Sequence, residues 1–244
     1  MQAVILAAGM GKRLKELTKG RPKCMVGVNG RMLVDRVMEM LDRKGMSRIV
    51  MVVGYEAALL EEHVRSLGLS TPVEFVENPI YDKSNNIYSL ALADSYLEQE
   101  DTILLESDLI FEETLLDALL EDPRETLAVV DRYQDWMDGT CVLLDEADRI
   151  TDFVPGRRLR QEDTDRYYKT VNIYKFSRHF SEDCYIPFLE TYMKVVGLNE
   201  YYERALQAIV LLDENWIGAL RLQGQQWYEI DNQQDLAQAE KMFC

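Results

Sequence analysis

Residues 3–25 read AVILAAGMGKRLKELTKGRPKCM. The continuous apolar run at residues 3–8 ends in glycine, the composition of a strand buried on both faces of a parallel sheet. Such a strand belongs at the sheet centre. The loop after it is chemically specific. Gly9 and Gly11 let backbone N–H groups approach a bound anion closely, and Arg13 and Lys23 add positive charge, so the segment suits a nucleoside triphosphate. Two other glycine loops fail on residue type: a dinucleotide fold asks for a third glycine where Leu14 stands, and a Walker loop asks for Ser or Thr where Arg13 stands.

Outward from this segment the chain alternates. A helix is expected over residues 32–45, where Leu33, Val37 and Leu41 recur at four-residue steps and Gly45 supplies the stop. A buried strand follows at residues 49–53, then a helix over 59–67, a strand at 73–76, a helix over 86–97 and a strand at 102–105. This order implies right-handed βαβ crossovers and a mostly parallel, Rossmann-like α/β sheet flanked by helices. The second half changes character. Residues 141–153 read as an antiparallel hairpin turning at 145–149 and covering one side of the sheet, over the acceptor side, and 171–176 as another strand. Helices over 180–196 and 201–212, short strands near Leu220 and Tyr228, and a helix over 232–243 complete the expectation: one domain, 1–244, with a nucleotide-binding part to about residue 110 and an acceptor-binding part beyond it. The charged stretch RRLRQEDTDR, residues 157–166, reads as a solvated loop or a cover over the site.

With 244 residues and 47% hydrophobic content the chain can bury a full core. A formal net charge of −16 opposes binding to a nucleic-acid backbone. The four cysteines, Cys24, Cys141, Cys184 and Cys244, are scattered without a C-x-x-C pair, which fits reduced thiols in a cytoplasm. The first residues lack a basic n-region, and no run has transmembrane length, so neither secretion nor membrane insertion is expected. His63 and His179 lie far apart with no cysteine pair beside them, against a zinc site, and no G-x-S-x-G supports a hydrolase.

Two acids stand at strand ends. LLESDLIF places Asp108 just past an apolar strand, at the carboxyl edge where open parallel sheets bind ligands. WYEIDNQQDL places Asp231 between a short strand and the last helix, where it is either a metal ligand or the helix N-cap. One carboxylate from each of two distant segments, with phosphate oxygens and water, is a usual way to hold Mg2+.

The pattern L-A-A-G-x-G-x-R at residues 6–13, with P-K at 22–23, resembles the signature of the sugar-phosphate and choline-phosphate nucleotidyltransferase family. The resemblance implies that Leu6, Ala7, Ala8, Gly9 and Gly11 form the triphosphate loop, with Arg13 and Lys23 on the phosphates and Mg2+ held by Asp108 and Asp231. KSNNIYSLALA resembles a segment of bacterial CTP:phosphocholine cytidylyltransferases, which implies nucleotide or ribose contacts for Asn85 and Asn86; either also suits a helix start. Lys169, in YYKTVNIYKF, matches the place of the family's acceptor-side lysine and equally suits a strand edge. Tyr88, Tyr133, Trp136, Tyr174 and Trp216 are candidates for an aromatic box around a quaternary ammonium, or for core. The implied activity is transfer of CMP from CTP to a small phosphorylated amine, phosphocholine foremost, with phosphoethanolamine or an aminoethylphosphonate open. A sugar 1-phosphate acceptor with UTP, dTTP or GTP is one alternative, and a silent nucleotide sensor is another. Fusion to a second enzyme domain, or a homo-oligomer, would be compatible with either.

Overall fold

The computed structural model describes residues 1–212 and 217–244. Its strands, in chain order, are β1 (Gln2–Ala7), β2 (Gly27–Val28), β3 (Arg31–Met32), β4 (Ile49–Val53), β5 (Val73–Glu77), β6 (Thr102–Glu106), β7 (Leu109–Phe111), β8 (Leu127–Arg132), β9 (Cys141–Leu144), β10 (Ile150–Val154), β11 (Tyr168–Phe176), β12 (Gly218–Arg221) and β13 (Trp227–Glu229). The apolar run at residues 3–8 becomes an interior strand, between β6 and β4, of a mixed sheet with the path β10-β9-β11-β6-β1-β4-β5, to which β8 adds on β11 and β12 on β8.

Alternation along the strands explains why both faces are covered. Ala3, Ile5 and Ala7 of β1 join one core cluster with Ile49, Met51 and Val53 of β4. Val4 and Leu6, with Val50 and Val52, join the cluster on the other face. Helices Leu33–Arg43, Ala57–Ser66 and Glu113–Glu121 close the first face, and Asn86–Ala91, Ile186–Val196 and Glu203–Leu211 close the second. Among the described residues no helix is long and apolar enough to cross a membrane.

The first half follows the expected βαβ alternation: β1, β4 and β5 are parallel neighbours, and β6 returns to the other side of β1. That reversal of direction across the sheet leaves a crevice beyond the carboxyl ends of β1 and β6, the place where open sheets of this type bind ligands. Beyond β6 the sheet is largely antiparallel. β11 runs against β6, β8 and β9, and the expected hairpin, β9 with β10, extends the sheet as its edge. β12 on β8 restores a parallel pair there.

Several elements differ from the sequence expectation. The helix expected over 86–97 is two short ones, Asn86–Ala91 and Asp94–Leu97, because Ala93 leaves helical geometry at φ −99° and ψ 6°. The helix expected over 180–196 extends from Arg178 through a π-helical turn at Ser181–Tyr185 before continuing as Ile186–Val196. The short strands near Leu220 and Tyr228 do not pair with each other: β12 joins β8, while β13 pairs antiparallel with β7. β7, helix Glu113–Glu121 and β8 are additions that sequence reading did not register.

Candidate active site

A cleft of about 840 Å³ opens over the carboxyl ends of β1 and β6. The loop after β1 forms one wall, with Leu6, Ala8, Gly9, Gly11, Arg13 and Lys23 on the lining. Ala7 points the other way, into the core beneath the sheet. Gly11 takes φ +60°, and a Cβ there would stand 2.9 Å from the Thr18 methyl and 3.0 Å from Lys23 Cγ. Glycine is therefore required by both conformation and space. Thr18 Oγ1 donates to the Gly11 carbonyl at 2.9 Å, and the Lys23 N–H donates to the Gly9 carbonyl at 3.4 Å, so the loop is folded back until Lys23 faces the carboxylates opposite.

Those carboxylates come from two distant strand ends. β6 delivers Asp108, and β13, paired with β7, delivers Glu229 and Asp231. One oxygen from each of the three lies within 4.8 Å of the others. The Lys23 ammonium sits among them, bonded to Asp108 and, at 2.6 Å, to Asp231 Oδ1. Arg13 reaches the same Asp231 oxygen at 2.6 Å. Burial alone would lower the Lys23 pKa, but the two carboxylates outweigh it and hold the ammonium above its ordinary range. Burial likewise opposes ionisation of Asp231, and Lys23 with Arg13 more than offsets it, leaving Asp231 below its ordinary value. Glu229 is the reverse case: burial, helped by Asp108 and Asp231 against Lys169, pushes it up to about 7. Asp231 is not the helix N-cap. Asn232 caps helix Gln233–Met242 through a capping box with Asp235, which leaves the Asp231 carboxylate free to face the cleft.

The donor set fits a hard divalent cation. Its ligand atoms are all carboxylate oxygens, and Asp108 Oδ1 is buried without a hydrogen-bond partner. Lys23 supplies the compensating positive charge among these residues.

Across the cleft the lining includes Asp138, Gly139 and Thr140 before β9, Phe153 at the end of β10, Asn172 of β11, and Glu200, Tyr201, Glu203 and Arg204. Arg157, from the charged stretch, also lines it. Asn85 and Asn86 are both on the wall. Asn85 caps helix Asn86–Ala91 by accepting from the Asn86 N–H at 2.8 Å, so the helix-start role holds for it. Asn86 donates to Glu106 Oε1 at 3.0 Å and accepts from the Tyr202 N–H at 3.1 Å.

The remaining described candidates do not line the cleft. Lys169 is 2% exposed, donates to the Thr170 carbonyl at 2.6 Å, and lies 3.7 Å from Glu229 Oε2 and 5.8 Å from the Trp227 ring centre. It stands beside the acidic group rather than on the cleft wall. The structure does not gather the described aromatic candidates into a box: Tyr174 is fully buried against Phe176 and Tyr202, and Tyr88 packs on the same core cluster. Trp136 stacks on Tyr228 at 4.8 Å, Tyr133 packs edge-on to Tyr167, and Trp216 lies outside the described residues. Sequence reading missed Glu229, Glu106 and Glu203. The signal for Glu229 was present, because alternation along a strand end puts it on the same side as Asp231.

Residues 3–166 match the model of the MobA-like NTP transferase domain family. The chain is 31% identical over 248 residues to a CMP-5'-(3-aminopropyl)phosphonate synthase of Streptomyces rubellomurinus, covering all of this chain and 39% of that protein. It is 28% identical to a CTP:phosphoglutamine cytidylyltransferase of Campylobacter jejuni, covering 97% of this chain and 98% of the other. Among solved structures, the CTP:phosphocholine cytidylyltransferase of Streptococcus pneumoniae has the same fold, with a TM-score of 0.79 at 23% identity over 100% of this chain and 99% of that one. The glycine loop, its two cations and the acids opposite thus stand on a shared nucleotidyltransferase fold, and the chain belongs to the family of MobA-like NTP transferase domains and is a nucleotidyltransferase.

Proposed function

We propose that the chain transfers CMP from CTP to a small phosphorylated or phosphono amine and releases pyrophosphate. The observation that carries this reading is the polarity of the cleft. The loop after β1 presents Gly9, Gly11, Arg13 and Lys23, suited to phosphates, and elsewhere the lining presents Glu106 and Glu203, suited to a cation, with Glu200 facing Arg204 at 4.0 Å. A substrate pair with phosphates at the reacting centre and an ammonium on the acceptor complements both. Relatives that match over nearly the whole chain support the cytidylyl group and an acceptor carrying nitrogen beside its phosphorus group. On this reading residues to about 110 hold the nucleotide, the remainder builds the acceptor side, and the enzyme works in the cytoplasm, where CTP is found. Phosphocholine belongs to the same acceptor class.

In the reaction an acceptor phosphate oxygen attacks the α-phosphorus of CTP. The new P–O bond forms as the bond from the α-phosphorus to the bridging oxygen breaks, and pyrophosphate leaves with the electron pair. No protein nucleophile is needed, because the barrier is mainly charge repulsion and alignment. Gly9 and Gly11 admit the triphosphate to the backbone, and Arg13 and Lys23 neutralise charge that grows on the departing oxygens. Asp108 and Asp231, joined by Glu229, would hold Mg2+, which supplies Lewis-acid charge at the phosphates when bound. Lys23 then exchanges carboxylate partners for phosphate oxygens, a short move for a flexible four-carbon stem. Lys169 supports the acidic group from beside Glu229.

The test is pyrophosphate release with Mg2+ across nucleoside triphosphates and acceptors. Turnover with CTP and an amine-bearing phosphate or phosphonate is expected. Turnover confined to glucose 1-phosphate would replace the acceptor reading.

A further inference from the structure

Glu203 is out of place for a structural residue. It opens helix Glu203–Leu211, is 6% exposed, and lines the cleft. Its Oε2 is buried with no hydrogen-bond partner, while its own backbone N–H supports the carboxyl group. An acid in a first helical turn is ordinarily satisfied at the surface, where the helix dipole favours it without desolvation. A buried carboxylate oxygen left without a donor is costly unless a ligand brings one. The cations nearest to it are engaged. Arg204 faces Glu200 at 4.0 Å and Gln207 at 2.8 Å, and Lys169 is bonded to the Thr170 carbonyl.

A second carboxylate shares the wall. Glu106 ends β6, two residues before Asp108, and its Oε1 accepts from Asn86 at 3.0 Å. Asn86 also accepts from the Tyr202 N–H, adjacent to Glu203, so one amide ties the strand end to the helix start. The bridge needs a side chain that both donates and accepts, as the Asn86 amide does. The arrangement keeps two acids on one wall beside the phosphate-handling centre.

We propose that Glu203 and Glu106, braced by Asn86, form the subsite that reads an N–H-bearing ammonium of the acceptor. The inference rests on the reading that the acceptor is a phosphorylated or phosphono amine. An ammonium with N–H groups satisfies Glu203 Oε2 directly, whereas a trimethylammonium has no N–H to give and is favoured by ring faces. Tyr88, Trp136 and Tyr174 are not on the cleft wall; Tyr81, Phe153 and Tyr201 are, but none of them donates to Glu203 Oε2. Because Glu106 and Asp108 leave the same strand end, the ammonium lies a short linker away from the attacking phosphate, which selects acceptors of a few carbons.

The experiment compares wild type with Glu203→Gln on matched pairs, phosphoethanolamine against ethyl phosphate and 2-aminoethylphosphonate against ethylphosphonate, with phosphocholine alongside. Steady-state pyrophosphate release gives KM and kcat, and calorimetry gives CTP affinity. Wild type is expected to favour an amine over its amine-free match by at least about tenfold in kcat/KM, and to favour it over phosphocholine. Glu203→Gln should erase that preference through KM while CTP affinity stays at the wild-type value. An undiminished preference in a variant that binds CTP normally would overturn the subsite while leaving the proposed function intact. A wild type that turns over phosphocholine best would also overturn it. A wild type inactive on every amine would instead remove the proposed function itself. If Glu203→Gln fails to bind CTP, Glu203→Asp takes its place, with a partial loss of preference expected and an unchanged preference counting against the subsite.

Discussion

Replacing Lys23 with methionine separates the two roles that the structure gives this lysine. Its ammonium contacts Asp108 and Asp231, with side-chain exposures of 12%, 15% and 20%. Removing the shared cation leaves two carboxylates close together in a mostly buried setting, compensated only by Arg13, which is 63% exposed and therefore screened by solvent. Loss of one partner from a buried ion pair costs about 3–5 kcal/mol. Taking the lower end for a partly open cleft, and 2–4 °C per kcal/mol for a domain of this size, the variant should melt roughly 6–12 °C below wild type. A divalent cation should reverse much of that loss, because it occupies the place the ammonium held, and millimolar Mg2+ should raise Tm more in Lys23→Met than in wild type. Turnover should still fall by about 10²–10³, because the metal does not replace the positive charge on the leaving phosphates. The Asp231 part of this stability has a definite pH sense. Its folded pKa is depressed, so its contribution is present above the ordinary carboxylate range and is lost as pH falls through the folded value. Calorimetric melting with and without Mg2+, paired with pyrophosphate release, checks both roles. A variant with wild-type Tm and wild-type turnover would refute the reasoning.

Other expectations follow from single residues. Gly11→Ala should lower turnover at least tenfold, since its Cβ would meet Thr18 and Lys23 at 2.9–3.0 Å and φ +60° strains any side chain; a wild-type rate would show that the loop is not held as described. Glu229→Gln should weaken Mn2+ or Mg2+ binding about tenfold or more by titration calorimetry, and unaltered affinity would confine the cation to Asp108 and Asp231. Asp94, which has a buried unpartnered Oδ1, is pushed up to about 8 by burial, with Glu190 and Glu98 adding to it. An acid raised on folding contributes stability below its unfolded value near 4 and loses it as pH climbs to about 8. Asp94→Asn should therefore be more stable than wild type at pH 8.5, and closer to it at pH 4, in urea unfolding. Equal gaps at the two pH values would contradict the burial argument.

What the sequence displayed and what it hid follow from the range of the interactions. β1, β4 and β5 are written locally: β1 and β4 are short apolar runs, β5 is a short Val-Phe-Val segment after a helical period, and each pairs with a neighbour fixed by the βαβ connection. The glycine loop was equally legible, since Gly11, Thr18 and Lys23 meet within one short segment, residues 11–23. β12 and β13 are adjacent in sequence, yet their partners are β8 and β7, nearly a hundred residues or more away, and nothing in either strand names that partner. The acids show the same division. Asp108 stands out at the end of an apolar strand. Glu203 looks like any first-turn acid, and only the packing of its helix over the sheet shows that it is buried. The aromatic residues misled for the converse reason: Tyr174 alternates inward on β11 and is spent on the core.

The central claim, transfer of CMP to a phosphorylated or phosphono amine, is tested most directly by one grid of pyrophosphate release. It sets CTP, UTP, GTP, ATP and dTTP with Mg2+ against phosphoethanolamine, 2-aminoethylphosphonate, phosphocholine, phosphoserine and glucose 1-phosphate. The account predicts turnover in the CTP row with an amine-bearing acceptor. Turnover only with glucose 1-phosphate, or only with a nucleotide other than CTP, would contradict it.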